Sequence, residues 1–145
     1  MSDKALVIDA NILIRAVLGR RVRELLFMHA AAVRFHAPDV AYADARRYLP
    51  DLLVKRGVDP TSAMAVLDQL EIIVRPMDAE LYGTVKADAL RRIESRDADD
   101  WPVLASAMLL DCPVWTEDAD FFGTGVATWT TDRVGLYLTA GSNGD

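Results

Sequence analysis

Cysteine occurs once in this 145-residue chain and histidine twice, so neither can supply the clustered spacing of a zinc site. The lone Cys112 excludes an internal disulfide and points to a reducing compartment, with the cytoplasm as the expected location. Long apolar runs are missing too. The longest, Val103 to Leu110, is interrupted by Ser106 and falls far short of the ~20 residues that cross a bilayer. No membrane partner is expected. Met1-Ser2-Asp3-Lys4 leads into a short apolar run without the h-region or cleavage site of a secretory signal. There is also no glycine-rich phosphate loop, no convincing nucleophile–base pair, no internal repeat and no low-complexity segment.

An excess of positive charge is absent as well. Against 16 basic side chains stand 22 acidic ones, a net charge of −6, which by itself argues against a nucleic-acid partner. Two features weaken that exclusion. Acids gathered into a metal site are neutralised by the ions they hold. The basic residues are also grouped: Arg20, Arg21 and Arg23; Arg46 and Arg47; Lys55 and Arg56; Arg91, Arg92 and Arg96. Solvated helix faces would explain the same grouping, so charge decides nothing here.

What the chain does have is apolar patterning, at 52% hydrophobic content, enough for one sizeable core. Ala5-Leu6-Val7-Ile8 reads as a central strand covered on both faces. A helix is expected from about Asn11 to Leu18, another from Val22 towards Val33, then an extended piece to Ala37. Pro38 suits the first turn of a helix burying Val40, Ala41, Tyr48, Leu49, Leu52 and Leu53, with a break or kink near Tyr48 predicted by Pro50. Pro60 opens a further helix, and Ile72-Ile73-Val74 reads as a strand stopped by Pro76. One long helix is expected from about Ala79 to Ile93, burying Leu81, Tyr82, Val85 and Ala89. After the acidic turn Asp97 to Asp100 follow a helix from Pro102 to Leu110, a strand at Pro113 to Thr116, a last strand at Thr128 to Thr130, and a short helix ending near Leu138. Alternating strands and helices argue a single-domain α/β parallel-sheet sandwich with helices on both faces, over residues 1–140, with a mobile tail at 141–145.

Ligands of open parallel sheets bind beyond the carboxyl ends of the strands. The first strand delivers Asp9 and Asn11 there, and the strand ending at Thr116 delivers Glu117, Asp118 and Asp120. The helix between them starts at Asp99-Asp100, so three segments send carboxylates to one rim. Crowded carboxylates repel and raise one another's pKa, and a divalent cation relieves the conflict. Oxygen donors with room for water suit Mg²⁺ or Mn²⁺, and a pair of such ions can clamp an in-line phosphoryl displacement. Turn and cap roles would account for each acid singly. The convergence is what speaks for a site.

At this point the sequence resembles a PIN domain, the nuclease fold of VapC-type toxins in toxin–antitoxin pairs. The resemblance rests on Val7-Ile8-Asp9-Ala10-Asn11-Ile12-Leu13, on Arg96-Asp97-Ala98-Asp99-Asp100-Trp101-Pro102-Val103-Leu104-Ala105, and on Pro113-Val114-Trp115-Thr116-Glu117-Asp118-Ala119-Asp120-Phe121. It implies metal-binding and catalytic roles for Asp9, Asp100 and Asp118. Asn11 and Thr116 become supports that orient ligands or a metal-bound water. Asp99 competes with Asp100 for its position, and Ala105 and Ala107 favour Asp100 by their spacing after it. Asp120 is either a ligand through water or structural. The family's usual second acid is a Glu six residues after a proline. Six from Pro38 is Asp44, an acid one methylene shorter.

The resemblance thus implies a metal-dependent endoribonuclease cleaving RNA by a two-metal mechanism, a homodimer, and an antitoxin partner that blocks the acidic site. The competing reading, supported by Asp44 alone, is a PIN fold with impaired catalysis that binds RNA or protein. A haloacid-dehalogenase-type phosphatase also places an Asp after its first strand, but wants a second Asp where this chain has Asn11. His29, His36 and the three tryptophans are assigned no chemistry.

Overall fold

The computed structural model describes residues 4–140. Strand β1 (Ala5–Ile8) is buried along its whole length. Alternation sends Leu6 and Ile8 into one apolar core and Val7 into another, as expected of a strand covered on both faces. It pairs in parallel with β2 (Arg34–Pro38) on one side and β4 (Val114–Trp115) on the other. β3 (Val74–Met77) and β5 (Thr128–Trp129) extend the sheet at its two edges, in the order β3-β2-β1-β4-β5, all parallel.

One core lies between the sheet and helices α1 (Ala10–Leu18), α2 (Arg21–His29), α3 (Asp39–Lys55) and α4 (Pro60–Ile73), closed by the short α8 (Val134–Thr139). The other face carries α5 (Ala79–Tyr82), α6 (Lys86–Ile93) and α7 (Trp101–Leu110). The helix α7 is apolar almost all round and buried from Pro102 to Ala107, as a helix pressed between sheet and neighbour must be. The chain winds outward from β1 to β3, crosses back, and continues through β4. Strand order therefore reverses between β1 and β4, the place where α/β sheets open a crevice.

Several local expectations change. Pro38 ends β2 and stands just ahead of the first turn of α3. Pro50 does not break α3, which runs on to Lys55. A proline inside a helix costs about 3 kcal/mol. Leu49 and Leu53 beside it are both buried, and each such leucine contributes about 1.5–3 kcal/mol, enough to hold the helix together. Tyr48 and Val40, expected inward, are exposed at 51% and 40%. Ile72 and Ile73 belong to α4, whose Ala63, Leu67 and Leu70 stripe carries the helix to Ile73. A short β-branched run cannot distinguish the two states. Pro76 then sits within β3, tolerated because that strand is an edge. The expected long helix from 79 to 93 is interrupted by a 3₁₀ turn at Gly83–Val85, and Leu81 points outward at 56% exposure. The tail expected to be mobile, 141–145, lies outside the described residues.

Candidate metal centre

Asp9 leaves β1 and caps α1: its Oδ1 accepts the Ile12 N–H at 3.0 Å. Its Oδ2 accepts the hydroxyl of Thr116 at the end of β4. Thr116 Oγ1 in turn accepts the Asp118 N–H at 2.9 Å, and Asp118 Oδ1 accepts the Asp120 N–H at 2.9 Å. This relay ties the carboxyl ends of the two strands flanking the crevice. Asp9 is buried, and burial pushes its carboxyl up to about 6. The Thr116 and Ile12 hydrogen bonds oppose that rise, and the charges of Asp118 and Glu117 add to it.

Asp100 sits at the head of α7 but its side chain caps nothing. Its Oδ2 is buried without a hydrogen-bond partner. Burial, then the charge of Asp97, then the charge and closeness of Asp118, and finally Asp9 raise its carboxyl to about 7. A capping role, the simplest structural explanation for an acid at this place, is not exercised.

Asp9, Asp44, Asp99, Asp100 and Asp118 all line one cleft of about 170 Å³, together with Asn11. Asp44 reaches it because Val40, Asp44 and Tyr48 form one stripe of α3 at four-residue spacing, all on the cleft wall. The buried stripe of the same helix is Ala41, Ala45 and Leu49. Asp120 does not line the cleft. It groups instead with Asp97 and Asp100: one carboxylate oxygen from each of the three falls within 4.8 Å of the others. Asp9, Asp100 and Asp118 share the cleft without forming that close group, and Asp9 and Asp118 also accept hydrogen bonds from backbone and hydroxyl donors.

Sequence reasoning had assigned Asp97 only to a turn. Its three-residue spacing to Asp100 across a single 3₁₀ turn was the available signal. Tyr48 was missed for a different reason, having been counted as core. The loop that carries Asp118 and Asp120 is held by two arginines, Arg96 donating to the Ala119 carbonyl at 3.2 Å and Arg92 to that of Thr124 at 3.2 Å. Gly125, at φ +89°, lets the loop pass close to Arg92, where a Cβ would lie 2.9 Å from the guanidinium.

The donor set fits a hard divalent cation. Every candidate ligand is an oxygen, and a buried carboxylate oxygen of Asp100 lacks a partner. Two carboxyls also carry raised pKa values that a cation would bring back down. Thr116 and Asn11 are placed to steady such ligands, the first through Asp9 and the second from the cleft wall.

Comparison with known proteins agrees with this architecture. No curated protein sequence matches the chain significantly. Among solved structures it is similar to a chain of VapBC2 from Rickettsia felis bound to a promoter DNA fragment. There the identity is 13%, the TM-score 0.65, and the match covers 87% of this chain and 98% of that one. FitAcB from Neisseria gonorrhoeae matches at 20% identity and a TM-score of 0.56, over 87% and 97%. VapBC-1 from nontypeable Haemophilus influenzae matches at 16% and 0.54, over 89% and 99%. At these identities the likeness concerns the fold. The family model described as PIN domain matches residues 7–139, nearly the whole length, and the chain belongs to the PIN domain family.

Proposed function

We propose that this PIN domain is a metal-dependent endoribonuclease acting as the toxin of a toxin–antitoxin pair. The observation that carries the reading is the cleft at the β1–β4 reversal, where five carboxylates from four segments face one space and one buried oxygen has no partner. Asp9, Asp100 and Asp118 would hold Mg²⁺ or Mn²⁺, with Asp44 and Asp99 as further acids. Bound there, the ion would supply Lewis acidity and an activated water for in-line attack on a phosphodiester. Thr116 fixes the rotamer of Asp9, and the loop clamped by Arg92 and Arg96 fixes Asp118.

The toxin setting rests on the likeness to VapBC and FitAB complexes, whose names describe paired proteins. A protein partner that restrains the cleft, a homodimeric state and a cytoplasmic location belong to the same proposal. Among the described residues no helix is long and apolar enough to cross a membrane.

The test is cleavage of a mixed RNA pool by the purified protein, with chelator and with Mn²⁺ restored. The reading requires metal-dependent cleavage, products with 5′ phosphates, and loss of both in Asp9→Asn. Cleavage that persists in chelator, or cyclic-phosphate ends, would mean another mechanism.

A further inference from the structure

The acidic cleft has a basic neighbour. An open groove of about 550 Å³ is lined by Arg15, Arg20, Arg21 and Arg56, with Glu117 and Asp132 as its acids. In a chain of net charge −6, four guanidinium groups from three segments around one depression are a marked local inversion of sign. The groove and the cleft share their walls. Helix α1 gives Asn11 and Ile14 to the cleft and Arg15 and Leu18 to the groove. The segment after β4 gives Asp118 to one and Glu117 to the other. Helix α3 gives Asp44 and Tyr48 to the cleft, and Arg56, the residue just past its end, lines the groove. From Asn11 to Arg15 is one helical turn, about 6 Å.

Two of the arginines are engaged at the surface: Arg20 with Glu24 at 3.2 Å and Arg21 with Asp132 at 3.5 Å. Both pairs are largely exposed, so they are weak and exchangeable. Planar guanidinium groups match phosphate oxygens with paired hydrogen bonds.

We infer that this arginine groove is the seat for the phosphate backbone of single-stranded RNA flanking the bond presented to the acidic cleft. The inference rests on the nuclease reading above and deepens it. A strand crossing from groove to cleft passes from side chains that bind phosphate by charge to side chains that would themselves repel it without a cation. Affinity thus resides in the groove and chemistry in the cleft. An acidic peptide would be the other occupant of a basic groove. The shared elements favour RNA, because a strand cut in the cleft must lie across the helix and loop that also line the groove.

The experiment measures binding of a fluorescein-labelled oligouridylate by anisotropy in chelator, across a salt series, so that no cleavage intervenes. The proteins are the unaltered chain, the double variant Arg15→Gln with Arg56→Gln, and Asp9→Asn, each checked by thermal melt. Losing two phosphate contacts should make the slope of log affinity against log salt shallower by about 1.4, and weaken binding about tenfold at low salt. In Mn²⁺ the double variant should show raised KM with kcat kept. An unchanged slope and affinity in the double variant overturns the groove assignment. Displacement of the RNA by polyglutamate at equal charge concentration, with equal sensitivity to the double variant, assigns the groove to an acidic protein and overturns it as well. Asp9→Asn removes one of the charges that repel the strand in chelator, so it should bind RNA at least as tightly as the unaltered chain, with the salt slope set by the groove kept. If instead Asp9→Asn still cleaves, the nuclease assignment of the cleft fails, while the salt slopes still judge the groove.

Discussion

Asp9 and Asp44 line the same cleft from different walls and are held in different ways. Asp9 is buried between β1 and β4, both its oxygens engaged by Ile12 and Thr116, its carboxyl raised to about 6 by burial. Asp44 stands exposed on α3, on the stripe of Val40 and Tyr48. The strand-end wall is built into the core and cannot rearrange without disturbing the sheet. The helix wall is a surface that happens to face the cleft. A ligand on the first wall is preorganised at some cost to stability, whereas one on the second costs nothing and must be positioned by what binds.

The largest effect that would sharpen this contrast is on cleavage. Changes to polar supports of metal ligands usually cost 10–100-fold. Asp9→Asn and Asp100→Asn, which remove charge from the fixed wall and from α7, should therefore lower metal-dependent cleavage by at least about a hundredfold. Asp44→Asn should lower it by about tenfold or less, the range of an outlying support. Steady-state cleavage of one RNA substrate by the three variants decides. An Asp44→Asn loss as deep as that of Asp9→Asn would erase the distinction between the walls.

Next in size is the pH dependence of the metal-free protein. The folded-state pKa values of Asp9 and Asp100 are raised, to about 6 and about 7, from 3.8. The folded state thus holds protons more tightly than the unfolded one. The stability this gives is complete below about 4 and is lost as pH rises through 6 to 7. At 1.36 kcal/mol per pKa unit, ionised Asp9 costs about 3 kcal/mol at pH 8. Asp9→Asn keeps an acceptor for Ile12 N–H and removes the charge. It should raise metal-free stability at pH 8 by about 1–3 kcal/mol and by little at pH 4. Denaturant melts at the two pH values measure it. A loss of stability at pH 8 would show that the hydrogen bonds of the charged carboxylate outweigh its burial.

The third expectation couples the walls to the cation. Binding requires the carboxylates to lose their protons, so Mn²⁺ affinity should climb between pH 6 and 8, the range set by Asp9 and Asp100. At a hundredfold excess over Kd, Mn²⁺ should stabilise the protein by about 2.7 kcal/mol. Asp100→Asn should remove most of that shift, and Asp120→Asn should tell whether the group of Asp97, Asp100 and Asp120 holds the ion. A Mn²⁺ shift lost in Asp120→Asn but kept in Asp9→Asn would move the centre out of the cleft.

The same contrast explains what could be read from the sequence. The strand-end wall was legible because Ala5-Leu6-Val7-Ile8 is a continuous apolar run that stops abruptly at Asp9, and because a second short strand, Pro113 to Thr116, ends just before Asp118. A strand's carboxyl end fixes where the next side chains go. Asp99 and Asp100 were legible through the apolar helix that follows them. The helix wall was less so: Tyr48 and Val40 share apolar character with Leu49, and only the rotation of α3 against α1 and α4 decides which stripe is buried. Asp97 was obscured because its side chain caps the 3₁₀ turn through the Asp99 N–H, so an ordinary turn role already accounts for it. Pro50 and Ile72-Ile73 misled because local propensity was overridden by packing on either side.

The smallest expected effect is on the stability of the exposed wall, and it is the most discriminating for Asp44. With its side chain exposed, Asp44→Asn and Asp44→Glu should each change metal-free stability by no more than about 0.5 kcal/mol at any pH from 4 to 8. Any change in activity is then attributable to the cleft and not to folding. Glu adds one carbon–carbon bond, about 1.5 Å of reach, without altering charge. If Asp44 stops short of the ion and acts through water, Glu should keep or raise cleavage and tighten Mn²⁺ binding, while Asn lowers both. The two substitutions share one backbone position and nearly the same stability, so their difference isolates reach and charge. Equal cleavage and equal Mn²⁺ affinity in all three proteins would remove Asp44 from the centre. The helix wall would then contribute only Val40 and Tyr48, apolar surface beside the substrate, and Asp99 would remain as the acid to test alongside Asp9, Asp100 and Asp118.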